Sequence, residues 1–209
     1  SMLTLADGIH REGHEVVFGG FRGRGLVEEL RGLGYAAQEV RVRSKFDPFS
    51  VLAVSRWLKQ IRPEVLHCHL STSSFVGGLG AKIARVPSVA TVHGLSHKSS
   101  FLTVDRLIAV SEEVKRHLIG QGVRSERIDV VYNGLPPEFG EGAPDRLEAR
   151  AAFGLPPDAP IYGTVARLAK VKGLELPVQV LQLLPDAHLV LAGDGEEREP
   201  LEALARSLG

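Results

Sequence analysis

Hydrophobic positions along the chain keep switching between two spacings. Short apolar runs, the length of buried strands, alternate with stretches in which apolar residues recur every three or four positions, as on a helix with one buried face. The chain opens in a helix carrying Leu3, Leu5 and Ile9 and closing at Gly13, followed by a strand over residues 14–18. A helix over residues 24–33 ends at Gly34, and a strand follows over 37–42. Asp47-Pro48 places an N-cap before a proline at the first helical position. The helix after it puts Val51, Val54, Leu58 and Ile61 on one stripe until Pro63 stops it. Then come a strand over 64–68 and a helix over 75–84 whose glycines permit close packing, with Ser71 to Ser74 as candidate caps between them. Strands over 88–92 and 106–110 follow. Ser111 caps a helix with Glu112 and Glu113 in its first turn, Gly120 and Gly122 end it, and a strand runs over 128–132.

This alternation predicts an α/β fold with a parallel sheet, helices on both faces, and all strand C-termini on one edge, where ligands bind. Over residues 134–157 proline, glycine and acidic residues dominate, with one short helix around 147–153, so this segment reads as an interdomain linker. A second alternation begins beyond it: a buried strand over 161–165, a helix over 174–184, a strand over 188–192 and a helix over 196–208. The domain organisation predicted is therefore a Rossmann-like domain over 1–133, a linker over 134–157, and the start of a second Rossmann-like domain over 158–209.

Composition adds three constraints. The single cysteine, Cys68, excludes an internal disulfide and fits a reducing compartment. No run is apolar for long enough to span a bilayer, and no signal peptide is read. The net charge is zero but unevenly spread, with 18 Lys+Arg against 13 Asp+Glu in residues 1–133 and 7 against 12 in residues 134–209. A basic first part suits an anionic surface such as lipid headgroups, although an imbalance of this size also arises incidentally. No Ser/His/Asp spacing suggests a hydrolase, and no complete dinucleotide fingerprint occurs.

Candidate chemistry clusters after the predicted strands. Between the strand over 161–165 and the helix behind it lies a basic loop with Arg167, Lys172 and Gly173. Free N–H groups at a helix start carry partial positive charge, a guanidinium matches phosphate oxygens and an ammonium adds a point charge. The natural guest is a diphosphate; the alternative is a solvated basic turn. His67 and His69 flank Cys68 and share one face of a strand. They read either as metal ligands with His93 as a third, or as polar residues at the open end of the strand. His93, in Thr91-Val92-His93-Gly94, stands at a strand end before a glycine and is placed either to touch a ligand or to bond a neighbouring loop. In Gly193-Asp194-Gly195, Asp194 caps the next helix or the backbone approaches a ligand. Asn133-Gly134 reads as a turn or hinge.

Taken in order, these motifs resemble the family-4 glycosyltransferases, retaining enzymes built from two Rossmann-like domains in the GT-B arrangement. His67-Cys68-His69, Thr91-Val92-His93-Gly94, Ile108-Ala109-Val110-Ser111 with Glu112, Val131-Tyr132-Asn133-Gly134, Arg167-Leu168 with Lys172-Gly173, and Gly193-Asp194-Gly195 each look like one of that family's signatures. Two departures stand out. Ala166 occupies a position where the family usually has glycine, altering backbone approach to a donor there. Leu135-Pro136 replace Ile-Asp after Asn133-Gly134, which stiffens the hinge.

The resemblance implies transfer of a sugar, with retention, from a nucleotide-diphosphate sugar to a glycan or lipid-linked acceptor. It implies His93 as the catalytic residue, Arg167, Lys172 and Gly173 as the donor-diphosphate site, Gly193, Asp194 and Gly195 as nucleotide or sugar contacts, and His69 on the acceptor side. It implies no metal, no cofactor besides the donor substrate, no nucleic-acid partner, and work at the inner face of the cytoplasmic membrane on envelope glycans. The family's first strand, with its glycine-rich acceptor loop, and its paired glutamates are not found in residues 1–209. The expectation is a first domain short of a central strand, an unfinished second domain and little transferase activity from these residues alone. A sugar-nucleotide epimerase of the same architecture and a non-catalytic nucleotide-binding or interaction domain are the competing readings.

Overall fold

The computed structural model describes residues 2–23, 25–135 and 139–208. They form two compact units, Ser1–Phe139 and Gly140–Gly209. The first contains α1 (Met2–Arg11), β1 (Val17–Phe21), α2 (Leu26–Gly32), β2 (Ala36–Val40), α3 (Pro48–Ile61), β3 (Leu66–His69), α4 (Ser71–Ala84), β4 (Ser88–Val92), β5 (Arg106–Ala109), α5 (Glu112–Gly120) and β6 (Ile128–Val130). The second contains α6 (Arg146–Ala152), β7 (Ile161–Val165), α7 (Glu175–Val180), β8 (His188–Ala192) and α8 (Arg198–Leu208).

Local chemistry sets most of these boundaries. The Asp47 carboxylate accepts from the N–H groups of Phe49 and Ser50 with Pro48 in the first turn, and α3 closes on Arg62 in the left-handed region at φ 49° before Pro63. The Ser111 hydroxyl accepts from Val114 N at the start of α5. Asp145 and Glu148 form a reciprocal capping box on α6, and the Arg150 guanidinium donates to the carbonyls of Pro156, Pro157 and Ala159, tying the following turn to the helix.

All strand pairs are parallel, but the first unit holds two sheets among its described residues, β1–β2 and β3–β4–β5–β6. This is the interrupted sheet expected of a domain short of a central strand. The break falls where the family resemblance puts a further central strand. Helices bridge it instead: one apolar cluster runs from Val40 of β2 through Val54 and Leu58 of α3 and Val76 and Ala81 of α4 to Leu66 of β3. A second cluster fills the four-stranded sheet, with Ala90, Val92, Leu107, Ala109 and Ile128 facing Val114 and Leu118 of α5. The approach of α4 is unusually close. A Cβ on Gly77 would stand 2.6 Å from Cys68 Sγ, one on Gly78 2.6 Å from the carbonyl carbon of Thr103, and one on Gly80 2.7 Å from Val54 Cγ1.

Other boundaries move for physical reasons. The first strand begins at Val17 rather than residue 14, because Gly13 turns at φ 84° and His14 N still donates to Ile9 O. Its Gly19 and Gly20, which hide the apolar alternation, sit under the Trp57 ring and the Val27 side chain. The predicted start of the next helix, Arg24, lies outside the described residues, as does Pro136 of the predicted stiff hinge. Helix α4 starts four residues early: Ser71 to Ser74 are its first turn, and the cap position is Leu70, which offers no side-chain acceptor. The helix predicted over 174–184 is six residues of α7 followed by a 3-10 turn, Leu181–Leu183. Strand β7 is not buried as predicted; Val165 is 89% exposed, because the β7–β8 pair is covered on one side by Leu174, Val178 and Leu201. Among the described residues no helix is long and apolar enough to cross a membrane.

These contacts separate two kinds of glycine. Gly8, inside α1, has open space around its Cβ position, so Gly8→Ala should raise stability by up to about 1 kcal/mol through helix propensity. Gly78→Ala gains the same propensity but drives a methyl into the Thr103 backbone, and should lose about 1–3 kcal/mol net. Urea unfolding of the two variants checks both signs.

Candidate functional site

In the four-stranded sheet the parallel ladders put the C-termini of β3 to β6 on one edge. His69 is the last residue of β3, in register with Thr91, and His93 directly follows β4. Their side chains meet. The rings of His67 and His69 stack at 4.5 Å between centroids and 25°, and those of His69 and His93 at 5.4 Å and 26°. His67 Nε2 is 2.8 Å from the Thr91 hydroxyl, and His69 Nδ1 is 3.1 Å from His93 Nε2. Burial, reinforced by the neighbouring rings of His67 and His93, holds His69 down at about 4. Burial and then the charge of His93 lower His67 as well. Both are therefore neutral near pH 7. Cys68 points to the opposite face, where burial pushes its thiol up to about 12 and leaves it unreactive. Among the described residues no group of three or more His, Cys, Asp or Glu side chains is arranged to hold a metal ion.

Sequence reasoning missed Leu70. This residue links His69 to α4 with φ 69° and ψ 163°, a region that glycine alone normally enters, and its side chain is exposed. The Ser74 hydroxyl donates to Leu70 O at 2.6 Å, and the Ser73 hydroxyl donates to His69 O, so two side chains of the first turn reach back to hold the strained corner. The only hint in the sequence is a run of hydroxyl residues just after a strand end.

The second unit joins two motifs that the sequence shows far apart. Ala166 N donates to Ala192 O, Leu168 N to Asp194 O, and Glu197 N to Leu168 O, which zips the loop after β7 to the loop after β8. Leu168 and Ala169 are buried by this pairing, while Arg167 just before them is exposed, with its guanidinium 3.9 Å from Glu196 Oε1. Glycine is required here, because a Cβ on Gly193 would stand 1.9 Å from Ala166 O and one on Gly195 2.3 Å from Leu168 O. Asp194 does not cap a helix: its Oδ1 accepts from Gly195 N and lies 3.6 Å from Arg198, at the start of α8. Lys172 ends an exposed 3-10 turn, and Gly173 closes it at φ 60°. Helix α7 behind this turn is too short to add much dipole, so the positive field there comes chiefly from the two side chains. Asn133 and Gly134 lie exposed beyond β6.

Two outcomes follow from this geometry. The proton affinity of His69 is depressed in the folded state, so the unfolded chain binds the extra proton first as pH falls. Its effect on stability is nil above the ordinary value of 6.5 and grows unfavourable down to about 4. The stability advantage of wild type over His69→Asn should therefore shrink across that window in urea titrations at stepped pH. Gly193→Ala should cost about 1–3 kcal/mol by forcing the two zipped loops apart, seen as faster amide exchange at Ala166, Leu168 and Glu197.

Comparison with known proteins places both halves of the chain. The model of Glycosyltransferase Family 4 matches residues 1–139, and that of Glycosyl transferases group 1 matches residues 145–209. A D-inositol 3-phosphate glycosyltransferase of Mycolicibacterium gilvum is 34% identical over 153 residues, covering 62% of this chain and 34% of the relative. Among solved structures, a glycosyltransferase from Rickettsia africae superposes with a TM-score of 0.81 at 21% identity, over 99% of this chain and 59% of the other. Anabaena Alr3699/HepE, crystallised with UDP and glucose, has a TM-score of 0.75 at 21% identity, over 91% of this chain and 58% of its own. The chain thus spans about a third to three-fifths of the length of these proteins. The epimerase reading fares worse: the Neisseria meningitidis UDP-GlcNAc 2-epimerase reaches a TM-score of 0.52 at 12% identity. With one family model over residues 1–139 and the other following it in order to the end, the protein belongs to glycosyltransferase family 4, with the α/β fold of GT-B enzymes.

Proposed function

We propose that the chain carries the acceptor-side domain and the first part of the donor-binding domain of a retaining glycosyltransferase. The enzyme moves a sugar from a nucleoside-diphosphate sugar to a glycan or lipid-linked acceptor. The observation that carries this reading is the zipped loop pair of the second unit. It presents Arg167, backed by buried Leu168 and Ala169, at the end of a parallel strand, with Lys172 and Gly173 following in the signature order.

The chemistry asks for what these residues offer. As the bond from the anomeric carbon to the diphosphate oxygen breaks, negative charge grows on the leaving phosphate and positive charge on the sugar ring. Arg167 and Lys172 stabilise the first charge in the way a metal cation would, and we assign no metal to the reaction. Gly193, Asp194 and Gly195 frame the nucleotide or sugar side of the same loops. His93 is assigned to the reacting sugar or acceptor, with His69 beside it. The bound UDP in the Anabaena protein makes a uridine nucleotide the first donor to try. The basic surplus in residues 1–133 supports peripheral contact with the cytoplasmic face of a membrane bearing the acceptor. The 209 residues are shorter than the matched relatives, so we expect nucleotide binding from them alone and little turnover.

A hydrogen bond to a charged group contributes about 1.5–3 kcal/mol. Arg167→Ala and Lys172→Ala should each weaken UDP binding roughly tenfold or more by calorimetry. In an active enzyme preparation each should cost roughly 10²–10³ in turnover, because the contacts strengthen in the transition state. Arg167→Lys should recover little, since an ammonium lacks the planar fork. Folded variants that bind UDP and GDP as wild type does and keep their turnover would reduce Arg167 and Lys172 to solvated turn charges.

A further inference from the structure

We propose that His69 is a positioning residue for His93: it engages Nε2 of His93, fixes the orientation of that ring, and leaves Nδ1 as the nitrogen that meets the ligand. That Nδ1 meets a ligand rests on the role assigned to His93 above; the pairing itself stands on geometry.

The two rings come from adjacent parallel strands, and only one pair of nitrogens is within bonding distance, His69 Nδ1 and His93 Nε2 at 3.1 Å. Between two imidazole nitrogens one must carry the proton and the other a lone pair. If His69 donates, His93 accepts at Nε2 and keeps its own proton on Nδ1. If His93 donates from Nε2, His69 accepts at Nδ1. In either arrangement Nε2 of His93 is occupied, and among the described residues no hydrogen bond engages Nδ1. His93 is exposed, and Nδ1 is its remaining nitrogen for a ligand.

His69 is itself held. Its ring stacks on that of His67 and meets His93 at its edge, and His67 is anchored through Nε2 by the Thr91 hydroxyl, which is buried beside it on β4. The corner after His69 is fastened by Ser73 and Ser74. A ring stacked on one face, bonded at its edge and tied at its backbone cannot turn to offer its other nitrogen without breaking these contacts. The series runs from a buried hydroxyl outward to an exposed imidazole, and each member fixes the next. Fixing the second nitrogen of a working histidine through a partner is a general way to set its tautomer and orientation.

Nitrogen-15 NMR of the histidine rings in the 209-residue chain tests this without any substrate. At pH 8 wild type should show an across-bond coupling between His69 Nδ1 and His93 Nε2, whichever of the two carries the shared proton. His69→Phe keeps the stacked area on His67 but has no nitrogen, and should shift the His93 ring resonances away from their wild-type positions. His69→Asn places a polar atom near the lost Nδ1 and should keep them close to those positions. A role in packing alone predicts the reverse order, with Phe tolerated and Asn disruptive. Absence of the coupling in wild type, or an unchanged His93 in folded His69→Phe, each overturns the proposal; if His69→Phe does not fold, the wild-type coupling decides. Failure of the sugar-transfer reading would appear separately, as unaltered UDP affinity in the Arg167 and Lys172 variants.

Discussion

The arrangement of the first unit depends on how closely α4 lies against what surrounds it. Three glycines, Gly77, Gly78 and Gly80, let the helix touch Cys68 of β3, the Thr103 segment and Val54 of α3 at distances that any β-carbon would forbid. The helix begins two residues after His69, so its depth in the core sets where the end of β3 stands. A methyl-sized displacement there is comparable with the margin between a hydrogen bond and no hydrogen bond. The 3.1 Å contact between His69 and His93 is therefore a consequence of core packing some distance away. The strained link at Leu70, fastened by Ser73 and Ser74, converts that packing into a defined corner.

The second unit solves a similar problem with backbone alone. Its two strands pair only with each other among the described residues, and one side of the pair is largely exposed. The loops beyond the strand ends are nevertheless held, because carbonyls and amides of residues 166–168 and 192–197 satisfy one another directly. The glycines at 193 and 195 make this possible by leaving room for the opposing carbonyls. Arg167 is then presented from a fixed backbone, while its side chain stays in solvent with a weak ion pair to Glu196. Such an exposed pair contributes little to stability, and the guanidinium is free to change partners for an anionic ligand.

The two edges differ in electrostatic character. At the histidine edge His67 and His69 are neutral at physiological pH, because burial and neighbouring imidazoles keep them unprotonated. The loop pair of the second unit carries permanent cations.

Alternation of strand and helix, the caps at Asp47 and Ser111, the stop at Pro63 and the order of the six motifs were all legible in the sequence, because each depends on residues a few positions apart. So was the family. The separation of β1–β2 from β3–β6 was legible only through the resemblance, which leaves a central strand missing, since pairing depends on which strands become neighbours in space. Gly19 and Gly20 concealed the second half of β1, because the apolar groups covering them, Trp57 and Val27, come from other elements. The histidine ladder was half visible: the shared face of His67 and His69 follows from strand periodicity, but the bond to His93 requires β3 and β4 to lie in register. Likewise Arg167 and the Gly193–Gly195 turn were each conspicuous, while their union was decided by backbone hydrogen bonds between loops more than twenty residues apart in sequence. Local periodicity and capping are written residue by residue in the chain; contacts between elements arise only when the core has chosen their distances.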